Sequence, residues 1–230
     1  MIRASVIISV YNAENLIERA VKSALHQQLH SNEYEILVVD DGSTDRTLER
    51  LKPYEGQISL LKLNHGGLSK ACNAALAKIA GPYFIRLDAD DTLAPKALST
   101  LIGDLDKDPE VGLVYADWME IDPAGHENRC VVDPFNLFRL LACGVLFRTS
   151  IAREIGGYND LLFEEYDFML RYLRVMPKTH HVAEALYNYF RHGDNMTQKS
   201  GYWDKGWKEF IAKWGEGELS KWNFHEVYQA

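Results

Sequence analysis

At 230 residues, with 47% hydrophobic and 25% charged side chains, the chain has the size and balance of a single soluble α/β domain with a sizeable core. A formal charge of −8 argues against a nucleic-acid partner, so a polyanionic ligand must be met by local cations or a metal. Cys72, Cys130 and Cys143 are odd in number and lack metal spacing, which predicts reduced thiols in a cytoplasmic setting. No apolar run reaches membrane-spanning length and the apolar start lacks a cleavage signature, so the expected membrane contact is at most peripheral.

In chain order, residues 6–10 form an apolar run of buried-strand type. Across residues 13–27, Leu16, Ile17, Ala20, Val21, Ala24 and Leu25 fall at helical spacing, and residues 36–39 read as a second strand, which completes a βαβ unit. A helix over 44–51, a strand over 58–63, a helix over 68–79 and a strand leading to Asp88 continue the alternation. Parallel strands with covering helices follow from the handedness and connection rules. The second half is less regular: a helix near 95–105, a strand at 111–115, a hydrophobic stretch over 135–147 and a helix around 166–175. No repeat or linker divides the chain, and the expected class is α/β with a Rossmann-like, mostly parallel central sheet.

Polar residues gather where these strands end. Asp88, Asp90 and Asp91 close the strand at 83–85, and at the carboxyl edge of an open α/β sheet such carboxylates suit Mg²⁺ or Mn²⁺ bridging to a diphosphate. The same triplet before Thr92 and Pro95 also suits the N-cap of the next helix. Ser9, Tyr11 and Asn12 follow the first strand, and Asp40, Asp41, Gly42, Ser43 and Asp45 the second, all on that same edge. A tyrosine ring offers a stacking face, and an aspartate can accept the imide hydrogen of uracil, a pair that suits a pyrimidine nucleotide. The segment 41–45 is equally good turn chemistry.

Taken in order, residues 6–12 with Tyr11-Asn12, residues 38–45, Asn64 with Gly67 and Asn73, Asp88-Ala89-Asp90-Asp91, and Gly156-Gly157-Tyr158 before Glu164-Glu165-Tyr166-Asp167 resemble family 2 glycosyltransferases of the GT-A fold. The resemblance runs over roughly residues 1–195. It implies a nucleotide-binding half at about 1–92 and a smaller acceptor-side, catalytic half at about 93–200. The implied activity is inverting transfer of a sugar from a nucleoside-diphosphate donor, most often a UDP-sugar, to a saccharide or other hydroxyl acceptor, with Mn²⁺ or Mg²⁺ as cofactor. The matching positions make Asp90 a metal ligand, with Asp88 on ribose or metal, and put the base in the pair Glu164-Glu165. By position the base is Glu165, where the family carries aspartate.

A second departure is Cys72, where the family commonly has arginine; Lys70 is near in sequence but two residues along a helix point it elsewhere. Asn64 keeps the family's residue and is expected near the base. The run Tyr189 to Thr197 resembles the family's His-Gly loop, which makes His192 a candidate third metal ligand and Arg191 or Lys199 a phosphate partner. The competing reading is a non-catalytic nucleotide-sugar-binding or regulatory protein of the same fold. A nucleotidyltransferase is disfavoured because no phosphate-cradling glycine loop follows the first strand.

Beyond residue 200 lies an aromatic tail, 201–230, in which Trp203, Trp207, Phe210, Ile211, Trp214 and Trp222 recur at spacings of about three or four on one helical face. It can pack back onto the domain, form a partner or homo-oligomer surface, or lie on a membrane. Lys205, Lys208 and Lys213 favour the last, while Glu209, Glu216 and Glu218 oppose it.

Overall fold

The computed structural model describes residues 1–222 except 134, 141–143 and 194. Through the first half, β1 (Ala4–Val10), α1 (Ile17–Leu25), β2 (Tyr34–Asp40), α2 (Thr47–Leu51), β3 (Ser59–Lys62), α3 (Leu68–Lys78) and β4 (Tyr83–Arg86) alternate as the periodicity predicts. There follow β5 (Thr92–Leu93), α4 (Ala97–Lys107), β6 (Leu113–Ile121), β7 (Glu127–Cys130), β8 (Leu146–Arg148), α5 (Thr149–Glu154), α6 (Glu164–Val175), β9 (Thr179–Phe190), α7 (Tyr202–Trp214) and α8 (Glu216–Leu219). One sheet runs in the order β3-β2-β1-β4-β8-β6-β9-β5, with β7 paired to β6. The first four strands are parallel, as is the long β6–β9 ladder; β8 is antiparallel to both β4 and β6 and joins the two halves.

Strand periodicity divides the core. Along β1 and β2, Val6, Ile8, Val10, Ile36 and Val38 point to the face covered by α1 and α4, where Ile17, Ala20, Val21, Leu98 and Leu101 are buried. Ile7, Leu37 and Val39 point to the opposite face, against Ala71, Cys72 and Ala75 of α3 and the buried residues of α6. Burial on both faces is why these strands read as continuous apolar runs rather than alternating ones.

Several boundaries differ from the pattern. The first helix begins at Ile17 rather than 13, because the preceding turn is tied across to the second crossover: Ala13 N–H donates to Thr47 Oγ1 and Glu14 N–H to Asp45 Oδ2. The stretch 135–147 forms a short 3-10 turn at Leu137–Arg139 and then β8; Cys143 lies outside the described residues. β9 and the second half of β6 carry His, Asp, Glu and Asn among their apolar residues and are only partly buried, so they leave no clean period.

The described part of the tail packs back onto the body. Trp207 and Phe210 are buried, and Gly206 sits where a side chain would overlap the ring of Phe163. Asp167 of α6 accepts from Trp214 Nε1 at 3.1 Å and pairs with Lys213 Nζ at 2.5 Å, so α7 is tied to α6 and shares its core. Residues 223–230 are outside the described set. No helix among the described residues is long and apolar enough to cross a membrane.

Candidate functional site

The parallel pairings set the carboxyl ends of β1, β2 and β4 side by side, with Val10 opposite Asp40 and Ile7 opposite Arg86. The loops that leave β1 and β2 are stapled to each other. Asn12, at φ 50° the one non-glycine residue with positive φ among those described, accepts the Thr44 N–H at 2.8 Å and donates its own N–H to Ser43 Oγ at 2.9 Å. Both Asp40 carboxylate oxygens lie 3.3 Å from the Ser43 N–H. The structure thus gives Asn12 and Asp40 the work of shaping the turn.

Asp41 is buried and its two oxygens accept the Gly66 and Gly67 N–H groups, each at 2.9 Å, while His65 Nδ1 lies 2.9 Å from Oδ2. The ring of Tyr11, half-exposed, stacks on His65 with centroids 4.1 Å apart. A Cβ on Gly42, at φ +79°, would stand 2.7 Å from His65 N, so only glycine lets the 64–67 loop close onto β2. His65 is a member of this pocket that sequence reasoning passed over. Oδ2 meets both the Gly67 N–H and His65, whereas Oδ1 keeps a second lone pair, so the carboxylate retains capacity for one further donor. Asn64 and Lys70 are exposed on the same loop and on the first turn of α3. Ser9 Oγ lies 3.5 Å from Cys72 Sγ, and burial pushes that thiol up to about 11, so position 72 is a neutral buried side chain.

After β4, the carboxylate oxygens of Asp88, Asp90 and Asp91 fall within 4.8 Å of one another. They are not equivalent. Asp91 is buried and both its oxygens are engaged: Oδ2 accepts the Tyr187 hydroxyl at 2.6 Å and Oδ1 the Phe190 N–H at 2.9 Å. Burial, with Asp88 and Asp90 alongside, holds its pKa well above the ordinary carboxylate value. Tyr187 Oη also accepts the Asp88 N–H at 3.3 Å, so Asp91 and Tyr187 together fix the turn that presents the other two. Asp90 Oδ2 meets His192 Nε2 at 2.8 Å and Asn195 Nδ2 at 3.3 Å, and burial followed by the Asp88 charge raises its pKa. Arg19 of α1 donates to the Asp90 carbonyl oxygen and lies over the Phe190 ring at 3.5 Å. Asp88, Asp90 and Asp91 are a cluster of hard oxygen donors whose excess negative charge could hold Mg²⁺ or Mn²⁺, and His192 stands against Asp90 at its side.

Arg191 points elsewhere: its Nε lies 2.8 Å from Glu120 Oε2 on β6, not on the aspartate cluster. Asn195, buried beside His192, was not singled out from the sequence; its Oδ1 accepts the His192 N–H at 2.6 Å and sets that loop.

Glu164 and Glu165 open α6, reached through Gly156 and Gly157, both at positive φ. Asn73 pins that turn, its side-chain amide donating to Tyr158 O and accepting from Tyr158 N at 2.7 Å each. Both glutamates meet one buried cation, Arg86 of β4: Nη1 to Glu164 Oε1 at 3.1 Å and Nη2 to Glu165 Oε2 at 3.2 Å. Arg86 Nε lies 3.4 Å from Asp88 Oδ1. Burial, only partly offset by Arg86 and reinforced by Glu164, pushes Glu165 up to about 8. A charged residue inside an apolar strand was the available signal for Arg86.

The glycosyl transferase family 2 model matches residues 5–150. The chain is 31% identical over 208 residues to a chondroitin synthase of Pasteurella multocida, covering 85% of this chain and 21% of that protein. It is 31% identical over 188 residues to an uncharacterised glycosyltransferase of Rickettsia prowazekii, covering 74% and 58%. It therefore spans only about a fifth of the Pasteurella enzyme. Among solved structures, S. aureus TarS in complex with UDP-GlcNAc superposes with a TM-score of 0.75 at 22% identity, over 86% of this chain and 61% of that one. The mannosyltransferase PcManGT from Pyrobaculum calidifontis in complex with GDP-Man and Mn²⁺ gives 0.69 at 18% identity, over 91% and 64%. The sheet order and these neighbours are those of a GT-A fold, and the chain belongs to glycosyl transferase family 2.

Proposed function

We propose that the chain transfers a sugar, with inversion at the anomeric carbon, from a UDP-sugar to an acceptor hydroxyl with the help of a divalent metal. The observation that carries this is the meeting of two carboxylates on one buried guanidinium, Asp88 and Glu165 on Arg86; in this reading Asp88 serves the donor and Glu165 the acceptor. Donor-side support comes from Tyr11 and His65, whose stacked rings offer a platform for a base, and from Asp41, whose remaining Oδ1 lone pair suits the uracil imide. The nucleotide-sugar complexes of TarS and PcManGT are of the same donor class.

In this reading Asp88, Asp90 and His192 hold the cation, whose charge would offset that of the departing diphosphate. Glu165, raised toward neutrality, takes the proton of the acceptor hydroxyl as that oxygen attacks the face opposite the leaving group. Asn12, Asp40 and Ser9 shape the donor pocket; Asn64 and Lys70 stand exposed at its rim. Arg191 would have to leave Glu120 to meet a phosphate.

One observation favours a second reading, nucleotide-sugar binding without transfer: Glu165 is a glutamate held largely protonated at neutral pH. Transfer of labelled sugar from UDP-GlcNAc, UDP-glucose and UDP-glucuronate to saccharide acceptors, with Mn²⁺ against EDTA, separates the two. Metal-dependent transfer supports the enzyme; donor binding with neither transfer nor UDP release supports the binding protein.

A further inference from the structure

We infer that Arg86 is a positioning residue that aims Glu165 and ties the base mechanically to the metal-side aspartate Asp88. The inference rests on the transferase reading above.

Geometry is the first support. Arg86 is 3% exposed and makes a different nitrogen available to each of three carboxylates: Nε to Asp88, Nη1 to Glu164 and Nη2 to Glu165. A planar guanidinium fixes such directions, which an ammonium on a flexible stem cannot. Its backbone is also held on both sides. Arg86 lies opposite Ile7 in the parallel β1–β4 ladder, and its carbonyl accepts the Gly144 N–H at 3.2 Å. Leu87 N–H donates to Ile7 O at 2.9 Å, so the residue linking Arg86 to Asp88 is pinned as well. The cation that orients the base is thus anchored in the sheet interior, and Asp88, two residues on, moves with it.

Charge is the second support. Around Glu165 stand Arg86 and Asp88 from the end of β4, Glu164 and Tyr166 on α6, Tyr202 on α7 and, beneath Arg86, Cys72 on α3. The tyrosines and the thiol are neutral, each raised by burial. Among the described residues, Asp88, Glu164 and Glu165 all pair with the one cation Arg86. Glu165 is accordingly a group whose ionisation depends on where Arg86 sits, and removing that cation must make Glu165 harder to ionise. A glutamate at this position, longer by one methylene than aspartate, reaches back to Arg86 at 3.2 Å, which accounts for how its extra length is taken up.

The test compares Arg86→Lys and Arg86→Gln with the unmodified chain in three readouts: Mn²⁺-dependent UDP affinity, kcat, and the acid limb of the kcat–pH profile. Arg86→Gln is expected to move the acid limb to higher pH and to lower kcat on the order of 10²-fold. Arg86→Lys, which keeps the charge but not the fork, is expected to leave the limb near its original position while still lowering kcat more than it weakens UDP binding. Should Arg86→Gln fail to fold, Arg86→Lys decides alone. A folded Arg86→Lys with unchanged kcat overturns the inference, as does a folded Arg86→Gln with an unshifted limb. If the unmodified chain binds UDP with Mn²⁺ yet transfers nothing, the transferase reading fails, and the inference with it; Arg86 variants matching a fully active parent defeat the inference alone.

Discussion

His192 Nε2 lies 2.8 Å from Asp90 Oδ2, although 102 residues separate them in the chain. The contact closes the segment after β9 onto the segment after β4, and Asn195 braces both partners. An imidazole and a carboxylate held this close can share a hard or borderline divalent ion.

Asp90→Asn is expected to abolish the Mn²⁺-dependent part of UDP stabilisation in a thermal-shift titration, and His192→Ala to weaken it by about 10-fold or more. Asp91→Asn should instead lower the melting temperature whether or not metal is added, because that side chain holds Tyr187 and Phe190. Undiminished metal-dependent UDP binding in Asp90→Asn would remove Asp90 from the site.

The pH dependence follows from Glu165. Burial raises it to about 8 from an ordinary value of 4.5, so folding favours its protonated form, whereas the proposed role as base needs its ionised form. Activity should therefore climb with pH through an acid limb near 8. Stability should run the other way: the contribution of Glu165 is complete below about 4.5 and is lost as pH rises to about 8. Thermal melts of Glu165→Gln, which lacks that loss, should gain on the unmodified chain across this window and level off above it. A constant difference at every pH would show that Glu165 is not buried as described.

The proposed uracil site at Tyr11 and Asp41 implies base selectivity. An Asp41 oxygen that accepts the uracil imide hydrogen would face a lone pair on the matching nitrogen of cytosine, so UDP should bind more tightly than CDP. Asp41→Ala should weaken UDP by at least ~10-fold, corresponding to about 1.5–3 kcal/mol for a charged hydrogen bond, and should narrow the gap to CDP. Because Asp41 also holds Gly66 and Gly67, the variant should melt lower too. Tyr11→Ala should weaken both nucleotides, since it removes stacking and leaves His65 unsupported. Calorimetry that returns equal affinities for UDP, CDP and GDP would leave only a diphosphate-and-metal site.

Helix α7 should behave as part of the fold. Phe210 is buried among Phe138, Tyr166 and Trp207, so Phe210→Ala should cost about 3–5 kcal/mol in denaturant unfolding. Removal of residues after 200 should expose Phe163 and Tyr166 and yield an aggregating protein. A truncated chain as stable and monomeric as the parent would show that the tail is an appendage.

The first half of the fold was legible because its strands are buried on both faces and its helices carry one apolar stripe, the strongest periodic signals a chain can offer. β9 was not legible, since its polar and apolar residues are mixed along a strand that is only partly buried. The acidic motifs announced the sheet edge, but not the division of labour within it. Nothing in the run from Asp88 to Asp91 says that Asp91 faces inward to Tyr187, which is 96 residues away in sequence. Similarly, Asp41 was readable as a polar residue at the sheet edge, whereas its hold on Gly66 and Gly67 depends on how the loop before α3 folds back. Arg86 and His65 act through partners distant in the chain, and such partnerships leave no local pattern.

The central claim is that Glu165 is the base of an inverting transfer, and Glu165→Gln tests it most directly when donor binding and transfer are measured on the same preparation, with Glu164→Gln as control. Expected are UDP-sugar affinity within a few-fold of the parent, transfer reduced by ~10² or more, and product of inverted anomeric configuration from the parent chain. Parent-like transfer by Glu165→Gln, or retention of configuration in the product, would contradict it.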